Sequence, residues 1–485
     1  MNLSRTMSTQ HPDNVALPFF GTNGVIGDSD EVREAFYAFV ELGIREQLWD
    51  FEGKDVDNSV VRKLLLDYPD FFKKKQLGKD VFLTYRVPNP DVEKNEGKIL
   101  LETLESIPLS FDTAKSFYQN DIPPIFELAV PMVSSSASII RIAEYYKHYI
   151  VGRQTSTIHD TTIGKWLGTF SPDTVRIMPL FEDKDSMLNA HTMSKEFIAS
   201  QKIKDYLRVW LARSDPALNY GSVATVLIEK IALQRLDVLS EKLSIDIHPT
   251  LGCGSAPFRG NLKPTNVERI ITAYPSVQTF TIQSAFKYDY PEQKVKDAVA
   301  AIEATKPKKP FAVDEKALFP IIEKLEAAYQ KQIKLLAPII NEFSVFVPRR
   351  RKRKQHIGLF GYSRSTTGVH LPRAIPFCCS LYSLGLPPEL LGMHALTEKD
   401  VDTLHHAYPS FEYDIRDAAQ FLNKDTLDFF PKEIQKTVSE AVQRFGAPVH
   451  EGHKKITSEI VKEFKAKRVS ADKIEAAGKI RGFLG

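Results

Sequence analysis

The chain has 485 residues, of which 43% are hydrophobic and 26% are charged, a balance typical of a folded globular protein. Its 64 basic and 61 acidic residues leave a net charge of +3, which is too small to indicate a nucleic-acid or membrane partner. Residues 1–14 lack the apolar core of a signal peptide, no apolar run approaches the roughly 18 residues that cross a bilayer, and the three cysteines form no C-x-x-C pair. We therefore expect a cytoplasmic protein with neither a zinc nor an iron–sulfur site.

The opening segment, residues 5–14, is too rich in polar and turn-forming residues for a helix interior, and Pro12 biases the preceding residue towards an extended backbone. Apolar residues at helical spacing predict an amphipathic helix over residues 31–50 and another over residues 59–66. Short apolar runs predict strands at residues 81–88, 125–132, 175–183, 207–215, 245–249, 277–283 and 356–362. From residue 389 onward the pattern is helical, most clearly at residues 434–444 and 456–466.

Strands that alternate with helical stretches are typical of parallel α/β folds. The polar residues that carry chemistry repeatedly follow a strand, as they do in the active-site loops of a (β/α)₈ barrel. No internal repeat or Pro/Gly/Ser-rich linker divides the series. The sequence therefore predicts one domain over residues 1–485, an α/β fold with a (β/α)₈ TIM-type barrel over roughly residues 75–385 and additional helices, mainly C-terminal, over roughly residues 386–485.

Two acidic residues follow neighbouring predicted strands. Glu182 ends the apolar run at residues 175–183, and Asp215 ends the run at residues 207–215. Because the carboxyl ends of parallel strands meet at one edge, these carboxylates suit a hard divalent cation such as Mg²⁺. The alternative is that both acids only begin the following loops, where Asp and Glu are common.

Glycine and arginine residues at the same predicted edge are suited to binding anions. The spacing of Gly252 and Gly254 lets backbone N–H groups approach an anion. Guanidinium groups bind phosphate or carboxylate through paired hydrogen bonds, and arginines follow several strands: Arg86, Arg259, Arg364 and Arg373. No nucleophile-elbow sequence is present. These residues indicate a metal-dependent enzyme acting on a small phosphorylated acid. A lone histidine such as His11 is usually exposed and inert, so by itself it indicates no catalytic role.

The basic run at residues 349–354 has two interpretations. Its charge could bind a polyanion, but it contains no interleaved aromatic residues of the kind that stack on bases. A solvated loop, a subunit contact or a rim that attracts phosphate is favoured.

Several long segments make the chain similar to a known family. The segment TMSTQHPDN at residues 6–14 resembles the N-terminal signature of archaeal-type phosphoenolpyruvate carboxylase, and WDFEGK at residues 49–54 and TIQSAF at residues 281–286 extend the resemblance over essentially the whole chain. The resemblance implies a (β/α)₈ barrel, dependence on Mg²⁺ or Mn²⁺, and a homotetramer. It also implies the conversion of phosphoenolpyruvate and bicarbonate to oxaloacetate and phosphate through carboxyphosphate and a metal-bound enolate.

Motifs of the larger bacterial and plant carboxylases carry over residue by residue. The histidine of T-x-H-P-T falls on His11, which implies that it acts on the carboxyphosphate and enolate intermediates. The motifs P-L-F-E and S-D-S-A-K-D place the metal-binding carboxylates on Glu182 and Asp215. Their glycine-rich loop and their S-R…L-R-A-I-P segment place catalytic arginines on Arg259, Arg364 and Arg373. Substrate-binding residues are expected at Gly252, Gly254, Gln283, Arg213 and Arg86.

The chain departs from these motifs at two basic positions. The lysine of S-D-S-A-K-D falls on Leu218, and the first arginine of the glycine-rich loop falls on Cys253. The missing cations are therefore expected elsewhere, with Arg86, Arg213 and Lys287 as unranked candidates. Two alternative interpretations remain. The protein could be another metal-dependent barrel lyase or aldolase that acts on phosphoenolpyruvate or pyruvate, or residues 349–354 could form a nucleic-acid-binding patch.

Overall fold

The computed structural model describes residues 3–21, 25–27, 29–52, 57–351 and 368–485. Eight parallel strands close into a barrel in the order β1-β10-β9-β8-β7-β4-β3-β2, which confirms the predicted fold class. The strands are β1 (Thr6–Ser8), β2 (Glu46–Asp50), β3 (Phe82–Arg86), β4 (Ile125–Val130), β5 (Thr157–Ile158), β6 (Thr161–Thr162), β7 (Ile177–Phe181), β8 (Tyr206–Leu211), β9 (Asp246–Leu251) and β10 (Thr279–Ile282). The short antiparallel pair β5–β6 lies outside the barrel.

Helices surround the barrel and form the C-terminal region. In the described residues they are α1 (Ser29–Val40), α2 (Val60–Asp67), α3 (Pro69–Lys74), α4 (Gly97–Tyr118), α5 (Ser136–Tyr145), α6 (Ile163–Leu167), α7 (Lys184–Leu188), α8 (Ala190–Gln201), α9 (Ser214–Tyr220), α10 (Ser222–Leu243), α11 (Val267–Ala273), α12 (Ser284–Tyr288), α13 (Glu292–Glu303), α14 (Glu315–Ser344), α15 (Ala374–Ser383), α16 (Glu398–Ala407), α17 (Phe411–Ala419), α18 (Lys432–Phe445), α19 (Glu451–Lys465) and α20 (Ala471–Arg481). The helices predicted at residues 59–66, 434–444 and 456–466 correspond to α2, α18 and α19, which confirms them.

One predicted helix is wrong in its second half. The helix expected over residues 31–50 ends at Val40 as α1, and residues 46–50 form strand β2 between β1 and β3. Gly43 has a φ of +71°, a left-handed conformation that favours glycine and turns the chain from helix to strand. Strand pairing in the barrel therefore overrides a helical pattern that continues beyond the end of α1.

The other predicted strands correspond to barrel strands, with two exceptions: β1 has no predicted counterpart, and one predicted strand cannot be compared with the structure. Strand β1 was not predicted because its sequence, TMS, carries hydroxyl groups; these are buried and bonded, as when the Thr6 hydroxyl donates to Glu303 at 2.5 Å. The predicted strand at residues 356–362 lies outside the described residues. The barrel strands run from Thr6 to Ile282, so β1 and β2 both precede residue 75, where the predicted barrel region began.

The C-terminal helices cover the end of the barrel at which the parallel strands finish. The 30-residue helix α14 packs on α10 and α9, and α15 packs on α14 and α9. As a result, residues 347–351 and 372–373, which lie between these two helices, face the carboxyl ends of the strands. No helix within the described ranges is both long enough and apolar enough to span a bilayer.

Candidate active site

A cavity of about 480 Å³ opens at the carboxyl ends of the barrel strands. Its floor comes from residues that end or follow the strands, and its wall comes from residues 344–351 and 372–376. It brings together most of the predicted site residues, which are His11, Arg86, Glu182, Arg213, Asp215, Gly252, Arg259, Gln283 and Arg373. Gly254 lies directly behind this lining, and Arg364 lies outside the described residues.

The two predicted metal ligands follow neighbouring strands. Glu182 follows β7, Asp215 lies in the first turn of α9 just after β8, and the register pairs Phe181 with Leu211. The Glu182 Oε2 atom accepts a hydrogen bond of 3.0 Å from the Met132 backbone N–H. In the described part of the chain, no group of three or more His, Cys, Asp or Glu residues is arranged to hold a metal. Two carboxylates nevertheless fit Mg²⁺, which is commonly bound through one or two carboxylates together with water and substrate oxygens.

His11 lies just beyond β1 at the edge of the cavity. Its Nδ1 atom is 2.9 Å from the Thr9 hydroxyl oxygen, a hydrogen bond that orients the imidazole ring. The His11 carbonyl accepts from the backbone N–H groups of Asp13 at 3.1 Å and Ser284 at 3.3 Å. These bonds hold a half-buried imidazole beside the space in which substrate would lie.

Arg259 is held by its own glycine-rich loop and by distant residues. Its guanidinium donates to Asp13 at 3.1 Å, to Gln283 at 2.5 Å and to the Ser214 hydroxyl at 3.0 Å. Burial is the largest influence on Asp13 and raises the pKa of its carboxyl group, although Arg259 opposes that change. A Cβ atom on Gly254 would lie 3.0 Å from the Arg259 Cζ atom, so glycine there allows the guanidinium to fold against the loop.

Two other arginines lining the cavity already have carboxylate partners. Arg86 makes a bidentate ion pair with Asp50 at 2.8 and 2.6 Å and also contacts Glu52 at 3.1 Å. Burial opposes the charge on Arg86, but these two acids raise its pKa well above the ordinary value. The buried guanidinium of Arg213 pairs with Glu229 at 3.4 Å, which does not favour a direct role in substrate binding.

The basic run at residues 349–354 lies partly in the cavity wall. Arg349 is exposed, whereas Arg350 and Arg351 are buried, so the expectation of a solvated loop is wrong for these two. Arg350 pairs with Glu475 at 2.6 Å, and Arg351 pairs with Glu31 and Glu34 at 3.0 and 2.8 Å. Residues 352–354 lie outside the described residues.

Lys287, the third candidate for the missing cation, is buried behind β1. Its ammonium group donates to the Ser8 hydroxyl at 3.0 Å, the Thr9 carbonyl at 3.1 Å and Glu34 at 2.9 Å. Burial lowers the pKa of Lys287, although Glu34 opposes that effect. These contacts indicate that it supports the segment carrying His11 from behind.

The sequence interpretation missed three acidic side chains of this region. Asp13 binds Arg259, while Asp50 and Glu52 bind Arg86. All three lie inside segments that carry the family resemblance, TMSTQHPDN and WDFEGK. An acid directly after an apolar run was a usable signal for Asp50, but the expected helix over residues 31–50 concealed it.

Comparisons with known proteins agree over the full length of the chain. A family profile described as phosphoenolpyruvate carboxylase matches residues 3–485. A phosphoenolpyruvate carboxylase from Methanospirillum hungatei JF-1 is 48% identical over 489 residues, with 100% of both chains covered. Another phosphoenolpyruvate carboxylase, from Pyrococcus abyssi, is 46% identical over 488 residues, again with 100% of both chains covered.

A solved structure of a Haloferax volcanii malate synthase ternary complex with pyruvate and acetyl-CoA covers 66% of this chain and 76% of its own. The sequence identity is 9% and the TM-score is 0.36. The closed strand order by itself establishes the barrel.

Proposed function

Because the chain belongs to the phosphoenolpyruvate carboxylase family, we propose that it carboxylates phosphoenolpyruvate with bicarbonate to give oxaloacetate and phosphate. The observation that carries this proposal is one cavity lined by three acidic side chains, among them Glu182 and Asp215, a histidine and several arginines. Both substrates are anions, and phosphoenolpyruvate carries a phosphate and a carboxylate that suit guanidinium groups.

The reaction begins with attack of a bicarbonate oxygen on the phosphorus of phosphoenolpyruvate. The bond from phosphorus to the enol oxygen breaks, which gives carboxyphosphate and the enolate of pyruvate. Arg373 and Arg349, in the cavity wall, are positioned to bind the phosphate and carboxylate oxygens, and Arg364 keeps the similar role that its motif implies. Arg259 orients Gln283 and Ser214 at the floor of the cavity.

The second half of the reaction forms the new carbon–carbon bond. His11 accepts the carboxyl proton of carboxyphosphate as the bond between carbon and the phosphate oxygen breaks. Carbon dioxide and phosphate result, and the proton passes to phosphate. The enolate carbon then attacks carbon dioxide, and the cavity wall limits loss of carbon dioxide to solvent.

A divalent cation, Mg²⁺ or Mn²⁺, fits the carboxylates of Glu182 and Asp215 and would neutralise negative charge that develops on substrate oxygens. Glu182→Gln and Asp215→Asn should each lower turnover by about 10³-fold or more while the thermal unfolding temperature stays within a few degrees. Asp183→Asn is the matched control, since Asp183 follows the same strand but caps the Ser186 backbone N–H at 2.9 Å. Unchanged turnover in both test variants would refute the metal assignment.

The overall reaction is tested by coupling oxaloacetate formation to NADH oxidation with malate dehydrogenase. Phosphoenolpyruvate, bicarbonate and the divalent cation are omitted in turn, and each omission should abolish the signal. With ¹⁸O-labelled bicarbonate, attack on phosphorus predicts one labelled oxygen in each phosphate released. If oxaloacetate forms but the phosphate is unlabelled, the proposed carboxylase activity is supported and the route through carboxyphosphate is excluded.

The role of His11 is tested separately. In a His11→Asn variant, carboxyphosphate still forms but the later steps are impaired, so phosphate release should exceed oxaloacetate formation. A variant that retains full carboxylation would exclude the histidine from the mechanism. Thr9→Val, which removes the hydroxyl partner of Nδ1 and leaves the imidazole, should give a milder defect of the same kind.

We also propose a cytoplasmic homotetramer. Three free, buried cysteines are consistent with a reducing compartment. Around β5, β6 and α6, large apolar side chains are exposed, including Trp166 at 65% and Leu167 at 61%, as expected for a surface that is covered on assembly. Analytical ultracentrifugation of the purified protein tests this assembly, and a monomeric species at micromolar concentration would contradict it.

A further inference from the structure

A strained turn lies directly against the Glu182 carboxylate. Met132, between β4 and α5, has a φ of +51°, a left-handed conformation that is strained for a non-glycine residue. Its backbone N–H donates to Glu182 Oε2 at 3.0 Å. The next N–H, that of Val133, donates at 3.1 Å to the carbonyl of Leu180, two residues before Glu182. Two successive N–H groups of the turn therefore hold the segment that carries one proposed metal ligand.

The carbonyl ends of the same two peptide units are held by one side chain. The Asn89 amide nitrogen donates to the Pro131 carbonyl at 2.9 Å and to the Met132 carbonyl at 3.3 Å. The Pro131 carbonyl belongs to the peptide unit whose N–H reaches Glu182. The Met132 carbonyl belongs to the unit whose N–H reaches Leu180. Each peptide unit is thus fixed at both ends, with Asn89 on one side and the Glu182 segment on the other.

Asn89 is itself fixed in this position. It is 1% exposed, its side-chain oxygen accepts from the Asp91 backbone N–H at 3.1 Å, and its own backbone N–H donates to Glu93 at 3.1 Å. Both the amide nitrogen and the amide oxygen therefore have partners. Because its hydrogen-bonding groups are engaged, the Asn89 side chain can stabilise the left-handed backbone conformation of Met132, which Met132 would not keep by itself.

We propose that Asn89 is a positioning residue that orients the Glu182 carboxylate for a divalent cation, acting through the two peptide units of the turn at residues 131–133. This inference rests on the proposed metal-binding function of Glu182. Residues that orient metal ligands without touching the metal typically change metal affinity by about 10–100-fold when they are removed. Asn89 lines no part of the cavity in the described structure, so it acts on the cation and not on substrate.

The test measures Mn²⁺ binding to the substrate-free protein by the electron paramagnetic resonance signal of free Mn²⁺. Asn89→Ala should raise the Mn²⁺ dissociation constant about tenfold and raise the activating metal concentration by a similar factor. Turnover at saturating metal should stay within about threefold of the unchanged protein. An unchanged dissociation constant in Asn89→Ala would overturn the proposal.

Asn423→Ala is the matched control. Asn423 is also a buried asparagine whose amide donates to a backbone carbonyl, that of Lys454 at 2.9 Å, but it lies among the C-terminal helices. The Asn423→Ala variant should have a lower unfolding temperature and unchanged Mn²⁺ binding. An equal loss of Mn²⁺ affinity in this control would show that general destabilisation, and not positioning, accounts for the effect of Asn89→Ala.

Two further variants separate the possible failures. If Asn89→Ala does not fold, Asn89→Asp keeps the shape and the acceptor for Asp91 but lacks the two amide donors, and the same tenfold loss is expected. Glu182→Gln tests the premise. If it leaves Mn²⁺ binding unchanged, the proposed metal site fails and the positioning inference falls with it. If it abolishes binding while the Asn89 variants bind normally, only the positioning inference fails.

Discussion

Two layers of charged side chains lie inside the same barrel. In the lower layer the charges are surrounded by protein groups alone, whereas in the upper layer they also border a cavity. The lower layer consists of Glu46 on β2, Glu127 on β4 and Arg208 on β8. Arg208 donates to Glu46 at 2.8 and 2.9 Å and to Glu127 at 3.1 Å, and the Arg208 side chain is 0% exposed. The Thr84 and Tyr206 hydroxyls donate to the same two acids. The protein alone satisfies these carboxylates.

The upper layer consists of Arg86, Glu182, Asp215 and Arg259, together with His11, at the carboxyl ends of the strands. Its members also have protein partners, but all of them line a cavity that can admit a ligand. The comparison shows that a barrel uses buried charge for two purposes. Charges that form ion pairs with one another fix the packing of the strands, and charges that border a cavity are available for chemistry.

The largest expected effect comes from breaking the lower layer. Arg208→Met leaves two buried carboxylates without their cation, which should lower the free energy of unfolding by about 3–5 kcal/mol. Urea unfolding followed by circular dichroism measures this change. Protein that remains folded should keep its kcat/KM, since the lower layer does not line the cavity.

Arg269→Met is the control for that measurement. Arg269 is exposed and stacks on the Tyr413 ring at 3.7 Å, so its loss should cost no more than about 1 kcal/mol. A cost for Arg208→Met as small as that of the control would mean that the lower layer does not stabilise the barrel.

The next prediction breaks the upper layer. A lysine ammonium is a point charge and cannot donate to Asp13, Gln283 and Ser214 in the planar arrangement of the Arg259 guanidinium. Arg259→Lys should therefore lower kcat/KM by about 10²-fold, equivalent to about 3 kcal/mol of transition-state stabilisation. Steady-state kinetics with phosphoenolpyruvate measures it.

Arg213→Lys is the sharper control, because Arg213 also lines the cavity but pairs with Glu229 behind it. It should reduce stability and leave the KM for phosphoenolpyruvate within about twofold. A large rise in that KM would restore the substrate-binding role predicted for Arg213 from the sequence.

The two layers differ in how far the sequence could predict them. Glu182 and Asp215 each follow an apolar run, so their position at one edge of a parallel barrel follows from the strand pattern. The contact of Arg259 with Asp13 joins residues 246 positions apart, and Arg208 and Glu46 are 162 positions apart. Nothing local in the sequence indicates such pairs, because only closure of the barrel brings them together.

Local pattern also misled at β2. Apolar residues at helical spacing continue past Val40, and the strand that follows begins with Glu46, a polar residue that is buried only because Arg208 crosses the barrel to meet it. A buried acid on a short strand cannot be distinguished by sequence from an exposed acid on a helix. The same uncertainty concealed Asp50 as the partner of Arg86.

A smaller effect is expected at a buried acid that supports the upper layer. Glu389 accepts from the Phe258 backbone N–H at 2.5 Å and from the Tyr382 hydroxyl at 2.7 Å, and burial raises its pKa to about 7. Because the folded protein then binds more protons than the unfolded chain between pH 4.5 and about 7, stability should fall as the pH rises through this window.

Glu389→Gln keeps the acceptor oxygen and removes the titration. It should raise the free energy of unfolding at pH 8 by on the order of 1–3 kcal/mol and flatten its dependence on pH. Denaturant unfolding at a series of pH values measures the slope, and exposed Glu398→Gln is the control. A slope that is the same in Glu389→Gln and the unchanged protein would show that Glu389 is already ionised at pH 5.

The smallest effect separates fine geometry from charge in the upper layer. A Cβ atom on Gly254 would lie 3.0 Å from the Arg259 Cζ atom and 3.0 Å from the Gln283 side-chain oxygen, so both groups would have to shift by a few tenths of an ångström. Gly254→Ala should raise the KM for phosphoenolpyruvate about three- to fivefold, because Gln283 and Arg259 would no longer share one arrangement. In Gly97→Ala the new methyl group would make only an ordinary contact, 3.9 Å from the Pro90 Cβ atom, so this control variant should change neither KM nor kcat. If Gly254→Ala also behaves like the unchanged protein, the floor of the cavity tolerates movement of Arg259, and the charge of this arginine matters more than its exact position.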